Sequence, residues 1–194
     1  MTAHFIVRKA WGMGLVLLAL STPLPATTLT PSEPQGRRPV VDQSNTEVLS
    51  SLINGGSSAY RWEQGITAGV SGRLTQITLY VGLLNDLGET APTRVWISLG
   101  APGQSGDPVW TTTDVLDAGW HTFHVTNARI FFTAGEEYTI GIQGQSANDF
   151  NPGFGISYND QYPAGHLFLN GSIVGSEAND LLFQTYVQPD LGLH

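Results

Sequence analysis

Residues 66–83 read ITAGVSGRLTQITLYVGL, and the reading of this stretch decides the fold class. Ile77, Leu79 and Val81 fall at every second position, the period of a strand with one buried face. Ahead of them, glycines at 69 and 72 close a turn after a shorter strand that ends near Ile66. Two strands joined by a glycine turn are the start of an antiparallel sheet.

The same signature recurs toward the C-terminus. TRVWISLG (93–100) sets Val95, Ile97 and Leu99 on one face. PVWTTTDVL (108–116), GWHTFHV (119–125), EYTIGIQG (137–144), FGISY (154–158), HLFLN (166–170) and LLFQTYV (181–187) follow. Each is short, rich in β-branched and aromatic residues, and bounded by Gly, Pro, Asn or Asp. Beyond residue 20 no helical stripe is sustained, although TEVLSSLI (46–53) reads as a short helix. Strands at regular spacing without intervening helices indicate an antiparallel β-sandwich or barrel.

The N-terminus reads differently. Arg8 and Lys9 precede the apolar run WGMGLVLLAL (11–20), which gives way to small residues and proline. A charged start, a short apolar centre and a small-residue exit describe a signal peptide, expected here over residues 1–26. The apolar run falls short of the roughly 20 residues of a membrane span. Residues 27–40 are rich in Thr, Ser and Pro and read as a disordered linker, leaving 41–194 for the folded domain. The expected location is outside the cytoplasm, secreted or periplasmic, with no membrane span after cleavage.

Removal of residues 1–26 sharpens the charge balance. Six arginines and sixteen carboxylates remain, a net charge of −10, and no lysine is left. So acidic a chain lacks the positive field that nucleic acid or an anionic membrane needs. Cysteine is absent, which excludes disulfides, thiolate metal sites and a cysteine nucleophile.

Catalytic patterns are missing as well. His121 and His124 stand three apart on a strand and so face opposite ways, unable to share one zinc ion. Neither GGSSA (55–59) nor GQSGD (103–107) has the G-x-S-x-G spacing of a serine-hydrolase elbow, and no helix follows either. Glu136 and Glu137 are adjacent on a turn rather than paired across a cleft. The reading is therefore that the chain is not an enzyme; a secreted hydrolase is the alternative from that class.

Over residues 41–187 the order of blocks resembles a jelly-roll β-sandwich module of exported bacterial proteins, carbohydrate-binding-module-like in shape and usually without enzymatic activity. The blocks are WEQGITAGVSGRLTQITLYV (62–81), GWHTFHV (119–125), Phe-Thr-Ala-Gly-x-x-Tyr-x-Ile (132–140), Tyr-Pro-Ala-Gly (162–165) and NDLLFQTYV (179–187). The chain departs from the pattern at Gly65–Ile66, where a Phe is usual, and at Phe154, where a Trp is frequent. The resemblance implies an all-β antiparallel jelly roll of about 8–10 strands. It implies a monomeric binding or interaction module whose partner is a polysaccharide or a surface protein, with a structural envelope or matrix component as the alternative.

Two sites are expected in the last third of the chain. FNPGFGISYNDQYPAGHLFLNG (150–171) threads aromatics through turn residues. Alternation assigns Phe154 and Tyr158 to the core with Ile156, and Phe168 likewise. Phe150 and Tyr162 remain as stacking rings, with Asn159 and Gln161 beside them to read hydroxyls. No cofactor is required. A structural calcium ion is the one metal expected, held by loop oxygens at Asp160 and Asp180, although the Asn and Asp residues of these loops equally suit ordinary turn hydrogen bonds. The resemblance adds weight to Asp180, since it places an Asp just before the final strand. Asn170-Gly171 reads as a two-residue hairpin turn.

Overall fold

A strand with one apolar face must bury it against a second layer, and this chain does so by crossing back and forth between two antiparallel sheets. The computed structural model describes residues 37–46, 49–84, 90–104, 106–147, 151–175 and 179–190. The first sheet runs β1 (Val40–Asn45), β14 (Phe183–Pro189), β4 (Gly72–Gly82), β10 (Gly153–Tyr158) and β13 (Asn179–Leu181). Three further strands join it: β2 (Ser51–Asn54) pairs with β10, while β7 (Gly119–His124) and β8 (Phe131–Phe132) pair with β4. The second sheet runs β12 (Ser172–Ile173), β11 (Leu167–Leu169), β3 (Arg61–Thr67), β9 (Glu137–Gly144), β5 (Thr93–Leu99) and β6 (Trp110–Asp114). From β3 onward the chain changes sheet after every one or two strands, which gives an all-β sandwich of the expected class.

The core is what alternation selects. Ile77, Leu79 and Val81 of β4 and Phe183 and Val187 of β14 meet Val95, Ile97, Ile140 and Ile142 of the opposite sheet, all fully buried. Among the described residues the first strand begins at Val40, where β1 aligns on β14 with Val40 opposite Val187. The Asn170-Gly171 turn joins β11 to β12, with both residues at positive φ (49° and 82°) as a primed two-residue turn requires. His121 lies opposite Leu79 and His124 opposite Gln76, on alternate faces of β7.

Several local expectations change. The helix anticipated over 46–53 is not formed by Ser51–Ile53, which belong to β2 and lie along β10. Leu52 fits there because Gly82 and Gly153 are bare; a Cβ on Gly82 would sit 2.7 Å from its Cδ1. Tyr158 continues the alternation of Phe154 and Ile156, yet it is exposed because β10 runs past the edge of the core. In β11 it is Leu167 that enters the core, while Phe168 is only partly buried and lies opposite Glu63 of β3. The signal peptide, and the linker up to residue 36, lie outside the described residues.

Candidate functional site

The segment that the sequence singles out as a site folds inward instead. Tyr162 is 5% exposed, so it is not a surface stacking ring. Its ring meets Phe183 edge-on at 5.1 Å, and its hydroxyl accepts from the Thr67 N–H (3.1 Å) and donates to the Thr67 carbonyl (3.3 Å). Burial pushes the Tyr162 phenol up to about 12. Phe150 lies outside the described residues. Asn159 and Asp160 both take positive φ (71° and 48°), and with Gln161 they form an exposed turn in which the Gln161 amide donates to the Tyr158 and Asn159 carbonyls.

Asp180 closes this corner from within. It is 1% exposed, and its two oxygens accept from the Gln64 amide (3.1 Å) and the Tyr162 N–H (3.1 Å). Gln64 in turn accepts from the Leu181 N–H at 2.8 Å. The network ties β3, β13 and the 159–166 turn together, so Asp180 directs its carboxylate at protein donors while Asp160 stands exposed on the turn. Among the described residues no three His, Asp or Glu side chains gather around one point.

Burial pushes the Asp180 carboxyl up to about 6; hydrogen bonds from Gln64 and Tyr162 oppose the rise, Asp160 adds to it and His166 works against it. The folded chain therefore holds a proton that the unfolded chain, titrating near 3.8, has released. The sign follows from linkage: this stabilisation is complete below about 3.8 and is lost as pH rises through about 6. Asp42, also raised by burial, acts in the same direction. Replacing Asp180 by Asn is expected to flatten the fall in stability between pH 4 and 6.5, leaving the share due to Asp42. At pH 7 the neutral amide removes the cost of the buried charge but turns a donor toward a donor, so the two effects oppose each other and stability there changes by no more than about 1 kcal/mol. Urea titrations across that pH range check both.

A surface the sequence did not single out has the features the corner lacks. On the outer face of the first sheet, Trp120 of β7 lies opposite Tyr80 of β4, their rings edge to face at 5.4 Å. Trp120 is 45% exposed. The next rows carry polar groups: Thr78 and Thr122 share a hydroxyl contact at 3.2 Å, and Gln76 pairs with exposed His124. Across β4, Tyr186 donates to Gln184 at 3.0 Å. Tyr80 lies close against the sheet because Gly155 is bare; a Cβ there would be 2.7 Å from Tyr80 Cδ1 and 3.0 Å from Leu49 and Leu182. The result is an apolar and aromatic strip beside hydroxyls, amides and an imidazole. Such a surface can cover the C–H face of a sugar ring and bind its hydroxyls. The signal for it was available in GWHTFHV, where Trp120, Thr122 and His124 share the face opposite His121 and Phe123.

No family model and no curated protein matches this chain. The class that fold and site define is an all-β sandwich with an aromatic strip on one outer sheet face.

Proposed function

We propose that this chain is a non-catalytic binding module of an exported protein and that its ligands are glycans. The observation that carries the reading is the pair of exposed Trp120 and half-buried Tyr80, flanked on the same sheet face by Thr122, His124 and Gln184. An open strip suits a chain-like ligand lying along it, whereas a small ligand is enclosed by a concave pocket. The titratable groups with raised pKa values, Asp42, Tyr162 and Asp180, are tied to backbone groups within the fold, which supports a non-catalytic reading.

Affinity electrophoresis through gels containing soluble polysaccharides, with pull-down on insoluble ones, tests it. Retardation by at least one neutral polysaccharide is expected. If no polysaccharide retards the folded protein, glycan binding fails and the structural alternative takes its place.

A further inference from the structure

On the opposite sheet the outer face is built quite differently. Glu63, Gly141 and Trp96 form one row across β3, β9 and β5, and Arg61, Gln143 and Arg94 form the next. A Cβ at Gly141 would fall inside the Trp96 indole, so the bare glycine is what lets that ring lie flat on β9. The Arg61 and Arg94 guanidiniums both approach the ring, at 5.1 and 5.4 Å from its centroid. Arg61 is also bound to buried Glu63 at 2.7 Å. Residues 100–104 lie against this face, held by the Gly103 N–H on Glu63 (3.3 Å) and the Thr139 hydroxyl on the Gly100 carbonyl (2.8 Å), and residues 106–108 border it.

Between residues 106–108 and the two arginines opens a groove of about 450 Å³, walled by Pro108, floored by the buried Trp96 and edged by Asp107 and Gln143. Two side chains there keep unsatisfied donors. Trp96 is 2% exposed, and its indole N–H is buried without an acceptor. Among the described residues the only hydrogen bond of the Arg94 side chain runs from Nε to Thr111 at 3.0 Å, and no carboxylate pairs with it. A buried donor left without an acceptor is costly. In a chain with six arginines against sixteen carboxylates beyond residue 26, two of the six converge on one ring.

We infer that this groove is a second binding site and that it takes a carboxylate-bearing sugar, a uronate unit of an acidic glycan. The fork of Arg94 meets a carboxylate through two parallel hydrogen bonds. Pro108 supplies the apolar wall that receives the C–H face, while the buried Trp96 ring beneath the two guanidiniums holds them in place. Gln143 donates through Nε2 to the Ser58 carbonyl at 2.8 Å, which leaves its carbonyl oxygen, with the Asp107 carboxylate, to accept from sugar hydroxyls. Asp107 at the rim also disfavours a phosphate dianion, and the overall negative charge disfavours long polyanions, so the fit is to a short or sparsely charged acidic chain. The site is independent of the Trp120 strip, which lies on the other sheet.

The test is calorimetric titration of the full chain with a galacturonate trimer and with the corresponding neutral galactose trimer. The acidic trimer is expected to bind at least tenfold more tightly. Arg94→Gln should weaken it by about tenfold, and Arg94→Lys, which keeps the charge but not the fork, by a smaller factor. Trp120→Ala should leave it unchanged. Arg94 is partly exposed and pairs with no carboxylate among the described residues, so these variants keep the fold, which a thermal melt verifies. The inference is overturned by equal affinity for the two trimers, by full affinity in Arg94→Gln, by loss in Trp120→Ala, or by no binding of the acidic trimer. Loss of binding to neutral polysaccharides alone would instead count against the strip.

Discussion

Tyr162→Ala lowers the unfolding free energy by about 3–5 kcal/mol, the range for truncating a large buried aromatic, and leaves the polysaccharide affinity of the folded protein unchanged. The ring packs edge-on against Phe183, itself fully buried, and a Cβ on Gly165 would sit 3.0 Å from Tyr162 Cε1. Truncation opens a cavity at the junction of β3, β13 and β14, and it removes the hydroxyl that the Thr67 N–H uses. Tyr162→Phe separates the two effects. It keeps the packing and orphans only the Thr67 contacts, with an expected loss of about 1–2 kcal/mol. Urea denaturation of the three proteins, paired with affinity electrophoresis of each, gives the answer. A Tyr162→Ala protein of unaltered stability that had lost binding would return this ring to the surface and remove the buried-corner reading.

The reason Tyr162 is hard to read lies in range. Pro163 biases it to extended backbone, and the sequence around it says turn; both statements concern neighbours. What draws the ring inward is the Asp180 carboxylate, eighteen positions on, and Thr67, ninety-five positions back. Contacts at that separation leave no periodic trace. By contrast, the burial of Ile77, Leu79 and Val81 and the opposed faces of His121 and His124 follow from the strand period alone. Alternation fails where a strand outruns the core, as at Tyr158, or where the other face is itself covered. Trp96 belongs to this second case: it falls on the outer face with Arg94, and it is buried because Gly141 is bare beside it and two guanidiniums lie over it. An isolated glycine inside EYTIGIQG does signal close approach, but which ring approaches depends on the register of β5 against β9.

Trp120→Ala should abolish retention by neutral polysaccharides while moving the unfolding free energy by no more than about 1 kcal/mol. The two halves of this expectation have one cause: nearly half of the residue's surface faces solvent. Burying about 80 Å² of apolar ring against a sugar contributes about 2 kcal/mol at 25 cal/mol per Å², which corresponds to roughly thirtyfold in affinity. Glycan binding to an open face sums few such contacts against the cost of ordering the ligand, so losing the largest one drops a weak complex below detection. Trp120→Phe keeps part of the ring and should keep part of the retention. Gly155→Ala reaches the same surface indirectly, since its Cβ would press on Tyr80, Leu49 and Leu182 and lift the aromatic edge off the sheet. Weakened retention in Gly155→Ala with Trp120 intact would show that the seating of Tyr80 matters as well as the indole. Full retention in both Trp120→Ala and Gly155→Ala would place the glycan elsewhere on the sandwich, and the groove between Arg61 and Arg94 would then be the first place to look.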